Sequence, residues 1–139
     1  MEIVFVHFGS FPPKHLIKNL NRTCKFFPDT TVTLITDAKF DNLITHNNFQ
    51  RYDFQLGTDY RHVDRQMNHP KDFRNNFWFT SLARLIALCD YVIEKENPIL
   101  HIESDVLVSQ DFPLESFDSC DRSLAYTMVG HKSGVASIL

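Results

Sequence analysis

The chain has 139 residues, of which 43% are hydrophobic and 22% charged, and it carries a net charge of −3 at pH 7. A chain of this length fits one domain that buries roughly two thirds of its unfolded surface, and the mixed composition excludes disorder, low complexity and repeat arrays. Its Lys and Arg residues are scattered, so no basic stripe exists to track a nucleic-acid backbone, and nucleic acid is not an expected partner.

Met1 to Val6 is apolar but has no positive flank, and Gly9, Pro12 and Pro13 follow at once, a pattern unlike a signal peptide. No segment approaches the length of a transmembrane span. Cys24, Cys89 and Cys120 are odd in number and widely spaced, with no Cys-x-x-Cys pair for zinc or redox work. A reducing, cytoplasmic setting is therefore expected.

Ile3 to Phe8 reads as the first strand, closed by Gly9-Ser10 and the two prolines. No Gly-x-Gly-x-x-Gly or Gly-Lys-Ser/Thr follows it, so neither a dinucleotide fingerprint nor a P-loop is present. From Pro13, the spacing of Leu16, Ile17, Leu20, Cys24 and Phe27 predicts an amphipathic helix with Lys14, Lys18 and Arg22 outside, stopped before Pro28. Thr31 to Thr36 is β-branched and apolar enough for a second strand, ending on Asp37. Strand, helix, strand is the opening of a parallel α/β sheet.

Residues 38 to 76 are less regular. A short strand is expected at Phe49 to Phe54, followed by a polar run containing Arg61, Asp64, Arg65, His69 and Arg74, read either as a solvated excursion or as a ligand-covering loop. Phe77 to Glu96 is the strongest helix, and the spacing of Leu82, Leu85, Ile86, Cys89 and Ile93 predicts that these form its core face. Arg84 then falls on the opposite side among Thr80, Ala83 and Ala87, as an ordinary exposed arginine or as a cation that reaches a phosphate or pins a carboxylate past its small neighbours.

Pro98 to Gln110 is mostly Ile, Leu and Val, the pattern of a strand buried on both faces, interrupted by Glu103-Ser104-Asp105. In an extended chain Glu103 and Asp105 project to one side as an acidic pincer. Two carboxylates that close must be paired, protonated or bound to a cation if they are buried. The competing expectation is a strand that ends at Ile102, with the acids in a solvated turn. Beyond it, Asp111 to Phe117 reads as a turn with one helical turn, and Leu124 to Val129 as another strand. The apolar tail Gly134 to Leu139 lacks a closing turn, the pattern expected of a piece of a longer protein.

The order of these features resembles nucleotide-sugar-dependent glycosyltransferases of the GT-A fold, particularly the glycogenin-like and capsular-sugar-transferase-like families. The likeness rests on the first strand through Phe8, on Thr36-Asp37, on Phe79-Thr80-Ser81-Leu82-Ala83-Arg84-Leu85, and on His101-Ile102-Glu103-Ser104-Asp105-Val106-Leu107-Val108. In those families the strand after an Arg-Leu helix carries Asp-x-Asp; here Glu103 stands in place of its first Asp.

The resemblance implies a mostly parallel, Rossmann-like GT-A sheet flanked by helices, with residues 1 to 139 as a single donor-binding domain. It implies that Asp105, with Glu103 beside it, holds a divalent ion, Mn²⁺ or Mg²⁺, between the donor's phosphates. Glu103 would also contact the ribose or donor sugar, Arg84 would reach the donor side, and Phe8, Gly9 and Asp37 would border the nucleoside. Diphosphate and carboxylate repel, so a hard cation with oxygen ligands must bridge them. The implied partners are a nucleotide-diphosphate sugar and a glycan, protein or small-molecule acceptor. The acceptor half, which would supply any catalytic base and the family's late metal-binding His, is not matched; His131 comes too early for that role. The alternatives are a non-catalytic nucleotide-binding or interaction module and, less well matched, a phosphohydrolase, whose Gly-Thr after the second Asp is replaced here by Val-Leu-Val.

Overall fold

The computed structural model describes residues 1–37, 44–55, 57, 65 and 77–117, together with the backbone of 127–128 and 134–135. Its elements are β1 (Glu2–His7), α1 (Lys14–Phe26), β2 (Val32–Thr36), β3 (Phe49–Asp53), α2 (Phe77–Lys95), β4 (Ile99–His101), a 3-10 turn (Leu114–Phe117), β5 (Thr127–Met128) and β6 (Gly134–Val135). The first four strands form an all-parallel sheet in the order β3-β2-β1-β4. Phe5 stands opposite Leu34, Ile35 opposite Tyr52, and Val4 opposite His101. The expected parallel α/β character is therefore present, with three of the four strands within a residue of their predicted bounds.

Successive residues of β1 point to opposite faces, and each face has its own helix. Ile3 and Phe5 pack with Leu16, Leu20 and Cys24 of α1 and with Val32 and Leu34, joined by Leu100, Ile102 and Val108. Val4 and Val6 pack on the other side with Ile35, Phe54 and the α2 residues Ala87, Leu88 and Tyr91. All four central β1 residues are essentially sealed from solvent, and each large side chain so buried stabilises the fold by about 1.5–3 kcal/mol before entropy is counted.

Helix α1 follows its sequence pattern: Leu16, Leu20 and Cys24 are buried, and the Phe27 N–H closes the last turn on the Thr23 carbonyl just before Pro28. The Asn48 amide then gathers the carbonyls of Cys24, Phe27 and Thr30 at 3.2, 2.9 and 3.0 Å, satisfying acceptors that the helix end leaves open.

Helix α2 turns a different face inward from the one its apolar spacing predicts. Its buried residues are Ala83, Ala87, Leu88 and Tyr91; of the predicted stripe Leu82 is half-buried and Ile86 packs at the margin of this core, whereas Leu85 and Ile93 are 48% and 74% exposed and Cys89 is exposed. The helix is apolar around most of its girth, so spacing alone does not choose a face. Two physical terms do. Ala83 and Ala87 let the helix backbone lie close to the sheet, and Tyr91 on the same side reaches a buried acceptor, its hydroxyl donating to Glu2 Oε1 at 2.7 Å. The same oxygen takes bonds from Gln50 Nε2 at 2.8 Å and from the Thr33 hydroxyl, so a half-buried acid at the start of β1 is held by three donors. Burial pushes the Tyr91 hydroxyl up to about 12, an effect that its Glu2 bond reinforces. The helix stops at Glu96, which adopts a positive φ of 54° ahead of Pro98.

The apolar run after Pro98 is a short strand rather than a long one. Ladder pairing ends with the Ile102 N–H on the Val4 carbonyl, and Glu103 to Val106 turn back with the Val106 N–H on the Glu103 carbonyl at 3.0 Å. Of the resumed apolar run, Val108 is buried in the α1-side core but Leu107 is 61% exposed. The expected extended pincer is thus replaced by a turn, because desolvating two adjacent carboxylates within a strand costs more than three further ladder bonds return. The expected last strand is described only at Thr127–Met128, where it pairs antiparallel with Gly134–Val135 in a separate ladder. Arg61, Asp64, His69 and Arg74 of the polar run, and likewise Cys120 and His131, lie outside the described residues.

Candidate functional site

Because all four strands of the main sheet run the same way, Phe8, Asp37, Phe54 and Glu103 emerge at one edge, the carboxyl edge. The order β3-β2-β1-β4 also means that successive strands are added to one side of β1 and then to the other, so the strand order reverses between β1 and β4. Ligands of open α/β sheets bind at such a point, outside the carboxyl ends of the strands.

Five of the six predicted residues fall into defined contacts there. The Gly9 N–H donates to Asp37 Oδ1 at 2.9 Å, bridging the ends of β1 and β2. Gly9 has φ +136°, a region closed to side-chain-bearing residues, so only glycine aims its amide at Asp37 without strain. Phe8 packs on Phe54 with ring centroids 5.7 Å apart. Arg84, from α2, forms an ion pair with Glu103 at the end of β4. It is therefore not an outward-facing arginine: its side chain is 21% exposed and that of Glu103 27%. Asp105, the sixth, lies exposed on the turn.

Two histidines join the set that sequence reasoning did not single out. His101 is 2% exposed and bonds through Nδ1 to the Val4 carbonyl at 3.1 Å, so Nδ1 carries the proton. Its Nε2 stands 3.9 Å from Glu103 Oε1, too far for a hydrogen bond. Burial pushes the Glu103 carboxyl up, but the nearby His101 ring and the Arg84 guanidinium pull it down further, leaving it below the usual glutamate range. Of these two, the guanidinium in direct contact is the firmer hold on geometric grounds. His7, at the end of β1, is held below the usual histidine range mainly by burial, against the Phe11 carbonyl and the Asp37 charge, with His15 and Arg84 adding to the lowering. His7 thus lies within electrostatic reach of both Asp37 and Arg84. The sequence signal for His7 was its place as the last residue before Phe8-Gly9; for His101 it was a polar residue inside an apolar strand.

Among the described residues no three His, Cys, Asp or Glu side chains cluster as a ready metal set. Glu103 is committed to Arg84, which leaves Asp105 as the carboxylate of the turn without a partner among the described residues. That donor set does not make an all-protein cage, but it fits an ion of the magnesium type, which takes one or two carboxylates and completes its shell with phosphate and water. A separate groove of about 630 Å³, lined by Met1, Phe27, Asp29, Phe112 and Leu114 among others, lies at the opposite, amino edge of the sheet. None of the described helices is long and apolar enough to cross a membrane.

Comparison of the chain with protein-family models, with curated proteins and with solved structures finds no match.

Proposed function

We propose that this chain is the donor-binding part of a cytoplasmic, nucleotide-sugar-dependent glycosyltransferase of the GT-A type, as the resemblance of its motifs implies. One observation carries the reading: two pairs, Gly9 with Asp37 and Arg84 with Glu103, form at the carboxyl edge of a parallel sheet, beside its reversal of strand order. Phe8 and Asp37 border the nucleoside. Arg84 supplies fixed positive charge on the donor side, and Glu103, oriented by it, faces the ribose or donor sugar. Asp105 would hold the divalent ion, which when bound supplies charge to the departing diphosphate. An acceptor hydroxyl takes the sugar, and nucleoside diphosphate leaves.

The test is a thermal-shift panel of UDP, GDP, CDP and dTDP, each with and without Mn²⁺, on the wild-type chain and on Asp105→Asn. A ligand at a hundred times its dissociation constant adds about 2.7 kcal/mol to the folded state, a shift of several degrees. The reading predicts one nucleotide that stabilises only with metal, and loss of that effect in Asp105→Asn. If folded wild-type protein responds to none of them, the reading is wrong. Metal-dependent binding in a longer protein that never turns over a nucleotide sugar would favour the non-catalytic module.

A further inference from the structure

Asn19 lies on the buried face of α1, between Leu16 and Leu20, and is only 1% exposed. An asparagine is a poor choice there. It is a weak helix former, and its Oδ1 has no partner among the described residues; the same is true of the buried Thr23 hydroxyl one turn further on. An unsatisfied buried polar atom destabilises, and a purely apolar side chain would pack on the neighbouring apolar residues without that cost. Whatever favours asparagine at this position must come from its other atom. That atom, Nδ2, donates to the carbonyl of Val106, 87 residues further along the chain. Val106 closes the turn that begins at Glu103 and contains Asp105.

We infer that Asn19 is a positioning residue: it pins the acidic turn to α1 so that Asp105 is presented at the carboxyl edge. The turn is gripped from both faces of the sheet. Arg84 on α2 holds its first residue, Glu103, and Asn19 on α1 holds its last, Val106. Among the described residues Asp105 makes no such bond of its own, and it takes its place from these two anchors. The assignment of Asp105 as a ligand-binding group rests on the function proposed above; the pinning of the turn does not.

The experiment compares wild type with Asn19→Leu, which keeps the branched shape and removes the amide, and with Asn19→Ala, which removes the amide without adding bulk. Leu20→Ala, a plain truncation on the same helix, is the control for general loosening. Amide hydrogen exchange is followed at Val106, whose N–H donates to the Glu103 carbonyl, relative to the β1 and β2 amides. Loss of the pinning bond is expected to speed exchange in the turn by roughly tenfold over the strand amides. Leu20→Ala, by contrast, is expected to lower the melting temperature without singling out the turn. Unchanged turn exchange in both Asn19 variants overturns the inference, as does an increase that Leu20→Ala reproduces. Where wild type binds a metal–nucleotide pair, Asn19→Leu is further expected to weaken it about tenfold with the same base preference. If wild type binds none, the proposed function fails, and the exchange data still decide the role of Asn19.

Discussion

Replacing Arg84 by methionine keeps most of the side-chain volume on α2 and removes the charge that faces Glu103. Both side chains of the pair are less than a third exposed, at 21% and 27%. That places the pair between a surface ion pair, worth up to about 1 kcal/mol, and a buried one, whose breakage costs about 3–5 kcal/mol. Arg84→Met should therefore destabilise by about 2 kcal/mol, discounted from the buried value for solvent screening. Glu103→Gln should cost less, because a neutral amide still accepts a bond from the guanidinium. The double variant should recover about 1 kcal/mol of the summed losses. Urea unfolding of the four proteins at pH 7 gives this coupling directly.

The coupling must also depend on acid in a fixed direction. Glu103 has its carboxyl held below the ordinary value of 4.5 in the folded state. Its contribution is complete above that value and is lost as pH falls through the lower, folded one. The coupling should accordingly be flat from neutrality down to about pH 5 and shrink below it. A coupling under about 0.3 kcal/mol at pH 7, or one that does not change in acid, would refute the argument that Arg84 is an inward-facing partner of Glu103.

Gly9→Ala forces a side chain into φ +136° and should cost about 1–3 kcal/mol, with the damage local to the Asp37 contact; nuclear magnetic resonance shifts confined to residues near 9 and 37 would show it. Glu96→Gly should do the reverse, since a non-glycine residue at φ 54° is disfavoured, and should raise stability by about 1 kcal/mol in thermal melts. Tyr91→Phe removes one donor from Glu2 and should cost about 1–2 kcal/mol in denaturant unfolding. In the wild type the Tyr91 hydroxyl is raised to about 12. Its stabilisation is therefore full below pH 10 and lost as pH climbs towards 12, so the stability gap between wild type and Tyr91→Phe should narrow over that range.

The strands were legible because β1 and β2 are short β-branched runs with sharp punctuation, and α1 because one stripe of it is apolar and the rest is not. Helix α2 misled for the opposite reason: with Leu85, Cys89 and Ile93 on one side and Ala83, Ala87 and Tyr91 on the other, periodicity offered two faces. The choice between them was made by backbone approach and by a hydroxyl seeking Glu2, neither of which is a property of the local sequence. The acidic turn was one of two readings of Pro98–Gln110, decided by the cost of burying charge. At the site, Asp37 was readable from its position at a strand end, whereas Gly9 entered through the family resemblance and Glu103 stands at a strand end only on the second of the two readings of Pro98–Gln110. Asn19 was not readable, because its partner at Val106 is remote in sequence and its own helix pattern reads as complete without it.

The pairing of β1 with β4 brings together residues 97 apart, Val4 and His101, whereas β1, α1 and β2 meet through a short crossover. Closing the longer loop costs more chain entropy and is returned only when α2 and β4 have both docked. The carboxyl-edge charges therefore belong to the seam between an early-forming unit and a late one. Partial opening of this protein should part that seam first, exposing the β4 amides to exchange while β1 and β2 stay protected. Ligand capture at this edge would act as a clasp on the whole chain, making occupancy and foldedness two readings of a single equilibrium.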